Sequence, residues 1–416
     1  MNFFLLSPLP LTFSYPFYPF CYFCPMSNLT LPSILFIPRW YPSRFDPMLG
    51  LFTQRHAEII ANNADITVLF IHPFPNADKK FTPEINTENN ITVIRILFSN
   101  PTSSSFISRI KKVVNLFKAY YIGIKTIKNL NRLPNLSHIH VLSRTAIPAL
   151  YLYFFYKTPF IVTEHWSRYM INSGQLNNYF HKLFIQFTLN RSQHLTAVSQ
   201  FLLNTITQKG FSCKRTSILP NVVDTTTFSI QPKTSSKKTI IHISTFEDRS
   251  KNLKGMLNAI YQLKLKLTSF ELIMVGDGED FSMIKNYAAQ LDLTDIITFK
   301  GMIADKKEVA DLITQSDLLL LFSRYETMSV VAAEALACGI PVVATKMGAL
   351  PEIVLSNFGI LVDNENETQL CDAIYKVLTQ PELFNKNQMR EFAITNFSEE
   401  AIRERLLDLY NKYLRR

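Results

Sequence analysis

The stretch at residues 324–345, RYETMSVVAAEALACGIPVVAT, holds two carboxylates where carboxylates are hard to keep. Glu326 comes just before an apolar helical run, and Glu334 sits inside it among Ala, Val and Leu. Cys338-Gly339-Ile340-Pro341 then leads into a short hydrophobic strand. A carboxylate desolvated in such company is costly unless it meets a partner, so a ligand or an internal cation should satisfy each one. The run follows an apolar strand, Leu318 to Phe322, which places Ser323 to Ser329 in a loop, with Thr327 expected to cap a helix from Met328 onward. Backbone amides at that helix start, near Met328 and Ser329, could seat a phosphate or a sugar hydroxyl. Glu326 could accept hydroxyl hydrogens at a cleft lip. Glu334, about two turns further on, could take both vicinal hydroxyls of a ribose, or pair with a Lys or Arg inside the fold.

Such a loop needs a strand before it and a helix after it, and the chain supplies that alternation from Ser33 onward. Strands are expected at 34–37, 66–71, 91–96, 138–142, 160–163 and 194–198, then at 239–243, 270–275, 296–299, 318–322, 341–344 and 360–362, with helices between. The polar, aperiodic DTTTFSIQPKTSSKK separates the two series. The expected organisation is α/β, with two successive Rossmann-like domains: 27–224, a linker at 225–238, and 239–396, followed by 397–416 as a helix crossing back to the first domain. Ligands of such sheets sit beyond the carboxyl ends of the strands, and two domains can face each other across a cleft.

Composition agrees with this outline: 416 residues, 47% hydrophobic and 18% charged, describe a folded chain of more than one domain. Five scattered cysteines argue for a reducing cytoplasm rather than a disulfide framework, and the isolated Cys21-x-x-Cys24 is not read as a redox or zinc motif. The net charge of +10 is uneven. Residues 1–220 carry 21 Lys and Arg against 7 Asp and Glu, whereas 221–416 carry 22 against 26. A basic first half implies an anionic partner. Residues 1–26 are apolar, aromatic and Pro-rich without a Lys or Arg, which suits neither a signal peptide nor a membrane helix. They are expected to be an extension outside the fold, with the native start at Met26; the competing reading is a segment that contacts a membrane.

SRYETMSVVAAEALACGIPVVATKMGALPEIV closely resembles the signature of the retaining GT-B glycosyltransferases, the family that includes sucrose synthases and many bacterial capsule and lipopolysaccharide sugar transferases. That mark is a Glu, seven residues, a second Glu, a C-G-x-P-V run and a G-x-x-P-E turn, present as Glu326, Glu334, Cys338 to Val342 and Gly348 to Glu352. Further segments match in order from Ser33 to the end: PRWYPSRFDPMLGLFTQRHAEII, IVTEHWSRYM, LTAVSQFLLN, ILPNVVDTTTF, IHISTFEDRSKNLKGMLNAI, LIMVGDGED and ITFKGMI. The resemblance implies the GT-B fold and transfer of a sugar from a UDP- or GDP-type donor to a glycan or lipid-linked acceptor in surface polysaccharide synthesis. It assigns His165 to the donor sugar beside Glu326, Lys251 to the diphosphate, Glu334 to the ribose, Gly301 and Met302 to the nucleobase, and Gly50 to a close backbone approach. Thr245 stands where the family usually has Arg, so Arg249 or Arg324 is the expected substitute.

Gly276-Asp277-Gly278 reads as a turn, and no Asp-x-Asp or His/Cys/Asp run has ligand spacing, so neither metal nor other cofactor is expected. Residues 109–132 hold seven Lys and Arg and no acid, with apolar residues at 110, 113, 114, 117, 121 and 124. They form either an ordinary packed helix or one lying on an anionic membrane, which would place the protein on the inner face of the plasma membrane. Nucleic acid is not expected, since no binding motif accompanies the charge. Two alternatives stay open: a nucleotide-sugar epimerase of the same architecture, and a binding-only protein that lost catalysis with the Arg at position 245.

Overall fold

The computed structural model describes residues 31–74, 81–170 and 178–414; the expected N-terminal extension and Cys21-x-x-Cys24 lie outside them. Runs such as Ile34-Leu35-Phe36-Ile37 and Leu318-Leu319-Leu320-Leu321 are apolar at every position, the pattern of parallel strands covered on both faces. They build two sheets. The first contains β1 (Ser33–Pro38), β2 (Asp65–Pro73), β3 (Glu84–Glu88), β4 (Ile91–Phe98), β5 (Leu136–His140), β6 (Phe160–Glu164), β7 (Leu195–Ala197) and β8 (Thr216–Ile218), in the order β3-β4-β2-β1-β5-β6-β7-β8. All neighbours run parallel except the β3–β4 pair. The second contains β9 (Thr239–Ile243), β10 (Glu271–Val275), β11 (Ile297–Gly301), β12 (Leu318–Leu321), β13 (Val342–Thr345) and β14 (Gly359–Val362), all parallel, in the order β11-β10-β9-β12-β13-β14. In each sheet the first strand of the series is central and the order reverses beside it, the switch point where such folds bind ligands.

Two strands have no counterpart among the expected ones. β3, EINTE, is a polar edge strand made by pairing to β4, and β8 is only three residues long. β5 ends at His140, two residues before the expected end, because Val141 takes φ 69°. A β-branched residue rarely adopts this left-handed conformation, and here it turns the chain out of the sheet.

Residues Pro32–Arg416 form one contiguous unit. Between β8 and β9 the chain has no helix and no longer strand, only an isolated bridge from Val223 to Ser398. The helix Glu399–Asn411 then lies on the first sheet, with Ile402, Leu406, Leu409 and Tyr410 buried against the cluster that holds Ile34, Phe36, Ile66 and Ile161. Tyr410 Oη reaches His138 Nδ1 at 2.7 Å, and Tyr413 Oη reaches His194 Nδ1 at 2.9 Å.

Gly50 adopts φ 72° at the start of the helix Leu51–Glu58, and a Cβ there would stand 2.2 Å from the Trp40 carbonyl oxygen. Its freedom serves a close approach inside the first loop. Gly50→Ala is expected to lower stability by at least ~1–3 kcal/mol through the strained φ alone, read as a shift of the urea midpoint with an unchanged slope; an unshifted midpoint would show that the loop relaxes freely.

Candidate active site

The loop after β12 carries the first carboxylate. The helix that follows spans Val330–Ala337, two residues later than expected, and its cap is Ser329, whose Oγ accepts from the Ala332 amide at 3.3 Å. Thr327 does not cap it; its carbonyl accepts instead from Ser199 Oγ, at 2.7 Å, on the first-sheet side. Met328 Sδ accepts from the Asn221 amide at 3.1 Å. The chain after β13 presses this loop into place. Gly348 has φ 61° and a Cβ there would lie 1.8 Å from the Glu326 carbonyl oxygen, while the Ala349 amide donates to that same oxygen at 3.2 Å. The glycine of the G-x-x-P-E turn is thus required by Glu326 itself.

Both carboxylates meet internal cations. Glu326 Oε2 accepts from Lys251 Nζ at 2.9 Å, with both side chains largely covered. Glu334 is buried and takes Arg55 Nη1 on Oε1 at 3.3 Å, while the same nitrogen donates to the Val222 carbonyl. Burial raises the Glu334 pKa, and the Arg55 guanidinium works against that rise. Arg55 belongs to the helix Leu51–Glu58, so the buried pair spans the two sheets.

Lys251 ends the short helix Asp248–Lys251, and the loop before it is braced from the Gly-Asp-Gly turn. Phe246 N donates to the Asp277 carbonyl, Asp280 N to the Phe246 carbonyl, and Asp248 N to Asp280 Oδ2 at 2.8 Å. Arg324 fixes the other side. It donates to Asn252 Oδ1 at 2.5 Å and to the Asp248 carbonyl at 2.6 Å, and it pairs with Glu365, whose carboxylate raises its pKa. It is therefore a strut between the Lys251 and Glu326 loops, neither a solvated surface charge nor a free substitute for the missing arginine. Thr245 and Arg249 are exposed, and Arg249 forms no ion pair among the described residues. Gly301 and Met302 lie apart, at the end of edge strand β11; Gly301 accepts from the Gly276 amide and Met302 is exposed.

On the first-sheet side, His165 directly follows β6 and is buried. Its Nδ1 meets Asn221 Oδ1 at 3.1 Å, its Nε2 meets His140 Nδ1 at 3.2 Å, and its ring packs on Phe52 with centroids 4.4 Å apart. His56 joins them, so that ligand atoms of His56, His140 and His165 lie within 4.8 Å of one another. Three histidines far apart in sequence thus converge in space, a cluster that ligand spacing along the chain does not reveal. His56 Nε2 is held by the Pro220 carbonyl at 2.9 Å, and His56 Nδ1 and His140 Nε2 have no hydrogen-bond partner among the described residues. Burial pushes the His56 pKa down to about 4, and that of His140 and His165 well below the ordinary value.

Lys251, Glu326, Met328, Ser329 and Glu334 therefore stand on one side of a seam and His165 and the Gly50 loop on the other. Arg55, Ser199 and Asn221 join the two sides, and Glu352 adds a fourth link by accepting from the Gln200 and Phe201 amides at 2.9 and 2.5 Å. Sequence reading missed these partners although Arg55, Ser199 and Asn221 lie inside segments it singled out, because only the fold says which charge meets which.

All eight histidines have depressed pKa values, with burial the largest cause in each. The folded chain keeps them neutral while the unfolded chain protonates them near pH 6.5, so stability present above that pH is lost as pH falls toward about 4. Glu164, Glu334 and Glu399, shifted upward by burial, oppose this, three groups against eight. The melting temperature is expected to fall between pH 7.5 and pH 5; a constant or rising value would contradict the neutral histidine core.

Known proteins match this arrangement in two successive halves. The family described as Glycosyltransferase Family 4 matches residues 55–227, and that described as Glycosyl transferases group 1 matches 223–395. N-acetyl-alpha-D-glucosaminyl L-malate synthase of Bacillus anthracis is 28% identical over 243 residues, 56% of this chain and 62% of that protein. A phosphatidylinositol N-acetylglucosaminyltransferase component of Homo sapiens is 24% identical over 289 residues, 65% of this chain and 59% of that protein. The chain thus spans about three fifths of these relatives. Among solved structures, sucrose-phosphate synthase from Thermosynechococcus elongatus superposes with a TM-score of 0.72 at 20% identity, over 92% of this chain and 98% of that one. HepE of Anabaena in complex with UDP gives 0.69 at 18% identity, over 91% and 100%. The likeness to these structures shows the GT-B fold. The two family matches together run across both sheets and the seam between them, the first half of the chain matching Glycosyltransferase Family 4 and the second half Glycosyl transferases group 1.

Proposed function

We propose that the protein is a hexosyltransferase that moves a sugar from a nucleoside-diphospho-sugar, of UDP or GDP type, to a glycan or lipid-linked acceptor with retention of anomeric configuration and without a metal. The observation that carries this reading is the Lys251–Glu326 pair, 2.9 Å apart beyond the strand ends at the seam. Breaking the glycosidic bond leaves negative charge on the departing diphosphate, and Lys251 with the unpaired Arg249 nearby supplies positive charge there, covering the absence of an arginine at Thr245. A diphosphate that draws Lys251 away frees Glu326 to accept from a sugar hydroxyl, and the neutral His165, held by Asn221 and His140, faces the sugar from the other side. Glu334 has one oxygen on Arg55 and offers the other to a ribose. Gly301 and Met302 would border the base.

The helix Phe106–Asn129 supports a membrane-bound acceptor. Its buried face is Leu116, Ala119, Tyr120, Ile124 and Ile127, whereas most of the expected stripe, Ile110, Val113, Val114, Phe117 and Tyr121, faces outward with Phe106 at 77% exposure. An ordinary helix would have packed that stripe. Exposed Phe154, Phe155, Phe180 and Phe187 continue the aromatic face, with Arg191 stacked 3.5 Å over Phe187. Among the described residues no helix is long and apolar enough to cross a membrane. This face is proposed to rest on the anionic inner leaflet, its lysines on the headgroups and its rings between them.

UDP or GDP is expected to raise the melting temperature equally with and without EDTA, and Lys251→Ala to abolish that rise. Glu326→Gln should keep nucleotide binding and lose on the order of 10²-fold or more in transfer rate; unchanged transfer in both variants would refute the assigned roles. In flotation assays the protein should rise with phosphatidylglycerol vesicles and less with phosphatidylcholine, and Phe106→Ser with Phe117→Ser should weaken it; equal flotation of the variant would remove the membrane face.

A further inference from the structure

Beyond the carboxyl ends of β1, β2, β4 and β5 the first sheet opens into a cavity of about 230 Å³, walled by Arg39, His72, Asn100, Lys112, Arg144 and Thr145 among others. Three of these side chains are cationic, and none of the three forms an ion pair among the described residues. Arg39 stacks on the Trp166 ring at 4.3 Å, and its buried Nε has no hydrogen-bond partner among the described residues. Among the described residues Lys112 reaches only the Ser103 carbonyl, at 3.4 Å. Glu164, whose charge reaches Arg39, meets Arg168, Tyr169 and the Leu142 amide through Oε1 and forms no ion pair with Arg39. Burial, then Arg144 and Arg168, hold the Arg39 pKa down at about 10. A largely covered guanidinium, a second guanidinium and an ammonium gathered round one cavity, with no ion pair among the described residues, mark the place for an anion.

We propose that this cavity binds a phosphate group of the acceptor, through Arg39, Lys112 and Arg144, so that the acceptor is a phosphorylated molecule. This deepens the transferase reading and rests on it. A dianionic phosphoryl group has the oxygens to engage two guanidiniums and an ammonium together, with the Thr145 hydroxyl and the Asn100 amide in the same wall. The direction of the rest of the acceptor also follows. Tyr120, which donates to the Arg144 carbonyl at 2.7 Å, is a wall shared with a neighbouring cavity of about 500 Å³ between the helices Phe106–Asn129 and Ala146–Tyr156. That second cavity is mainly apolar, lined by Phe117, Ile124, Ile147 and Tyr151 with Lys125 and Lys128 at its edge, and it opens beside the exposed aromatic face. A phosphate carried on a lipid fits both cavities at once, whereas a soluble sugar phosphate fits only the first.

The test is calorimetric titration of the whole chain with inorganic pyrophosphate, UDP and GDP, on the native protein and on Arg144→Ala, Lys112→Ala and Lys251→Ala. Arg144 is exposed and Lys112 partly so, which spares the fold. The proposal expects pyrophosphate binding that survives Lys251→Ala and weakens on the order of tenfold or more in Arg144→Ala and in Lys112→Ala, while UDP or GDP binding shows the opposite pattern. Pyrophosphate binding that is absent, or is lost in Lys251→Ala and unchanged in Arg144→Ala, overturns it and leaves the donor reading standing. Conversely, no nucleotide binding beside Arg144-dependent pyrophosphate binding sinks the transferase reading and keeps the anion site. Short-chain prenyl phosphate and glucose 1-phosphate, compared on the Lys251→Ala protein, separate the sources: tighter binding of the first assigns a lipid phosphate, of the second a soluble one, and dependence of neither on Arg144 counts against the site.

Discussion

The buried charge pair between Glu334 and Arg55 is the interaction on which the seam depends. A carboxylate inside an alanine-rich helix cannot stay ionised without a cation, and an arginine largely covered on the helix Leu51–Glu58 is costly without an anion. Each side of the molecule therefore carries a group that is costly until the other side arrives. Breaking one member leaves the other stranded, a larger loss than the pair's own net contribution. The uncharged contacts around it, Ser199 to Thr327 and Asn221 to Met328, then fix the Glu326 loop against the side that carries His165, which itself meets Asn221. The same logic recurs at Glu352, whose carboxylate occupies the free amides at the start of the helix Gln200–Gln208.

Much of this fold was legible in the chain because parallel strands buried on both faces are written as short, wholly apolar runs. β3 was not, since a polar edge strand such as EINTE owes its shape to the neighbour it pairs with. The cap at Ser329 was displaced from Thr327 for a similar reason: Thr327 is drawn to a partner on the other sheet, which local capping preference does not weigh. The carboxylates at 326 and 334 could be found from their apolar surroundings, and their need for partners could be stated. Which cation answers which could not, because Arg55 and Lys251 meet them through chain topology alone.

The helix Phe106–Asn129 teaches the complementary lesson. Its sequence offers apolar residues around more than one face, and periodicity selected the stripe that solvent now covers while the packed face runs through Leu116, Ala119, Tyr120 and Ile127. A helix with two apolar faces and no acid has a second surface to satisfy, and the fold leaves it beside Tyr120, the residue that also walls the basic cavity. The charge imbalance of the first half is thus spatially organised, with lysines along the helix and unpaired arginines at the strand ends.

The chain passes between the two sheets twice, outward after β8 and back ahead of the helix Glu399–Asn411, and the two passes are stitched together where Val223 N donates to the Phe397 carbonyl at 2.8 Å. A single peptide joint would let one half swivel in any direction. Two passes fastened side by side behave as the spine of a book: they resist shear and torsion and leave opening and shutting as the easy motion. The seam contacts of Arg55 and Asn221 lie beside that spine, Arg55 Nη1 on the Val222 carbonyl and Asn221 N on Met328 Sδ, so that any parting of the two halves reduces to one angular coordinate.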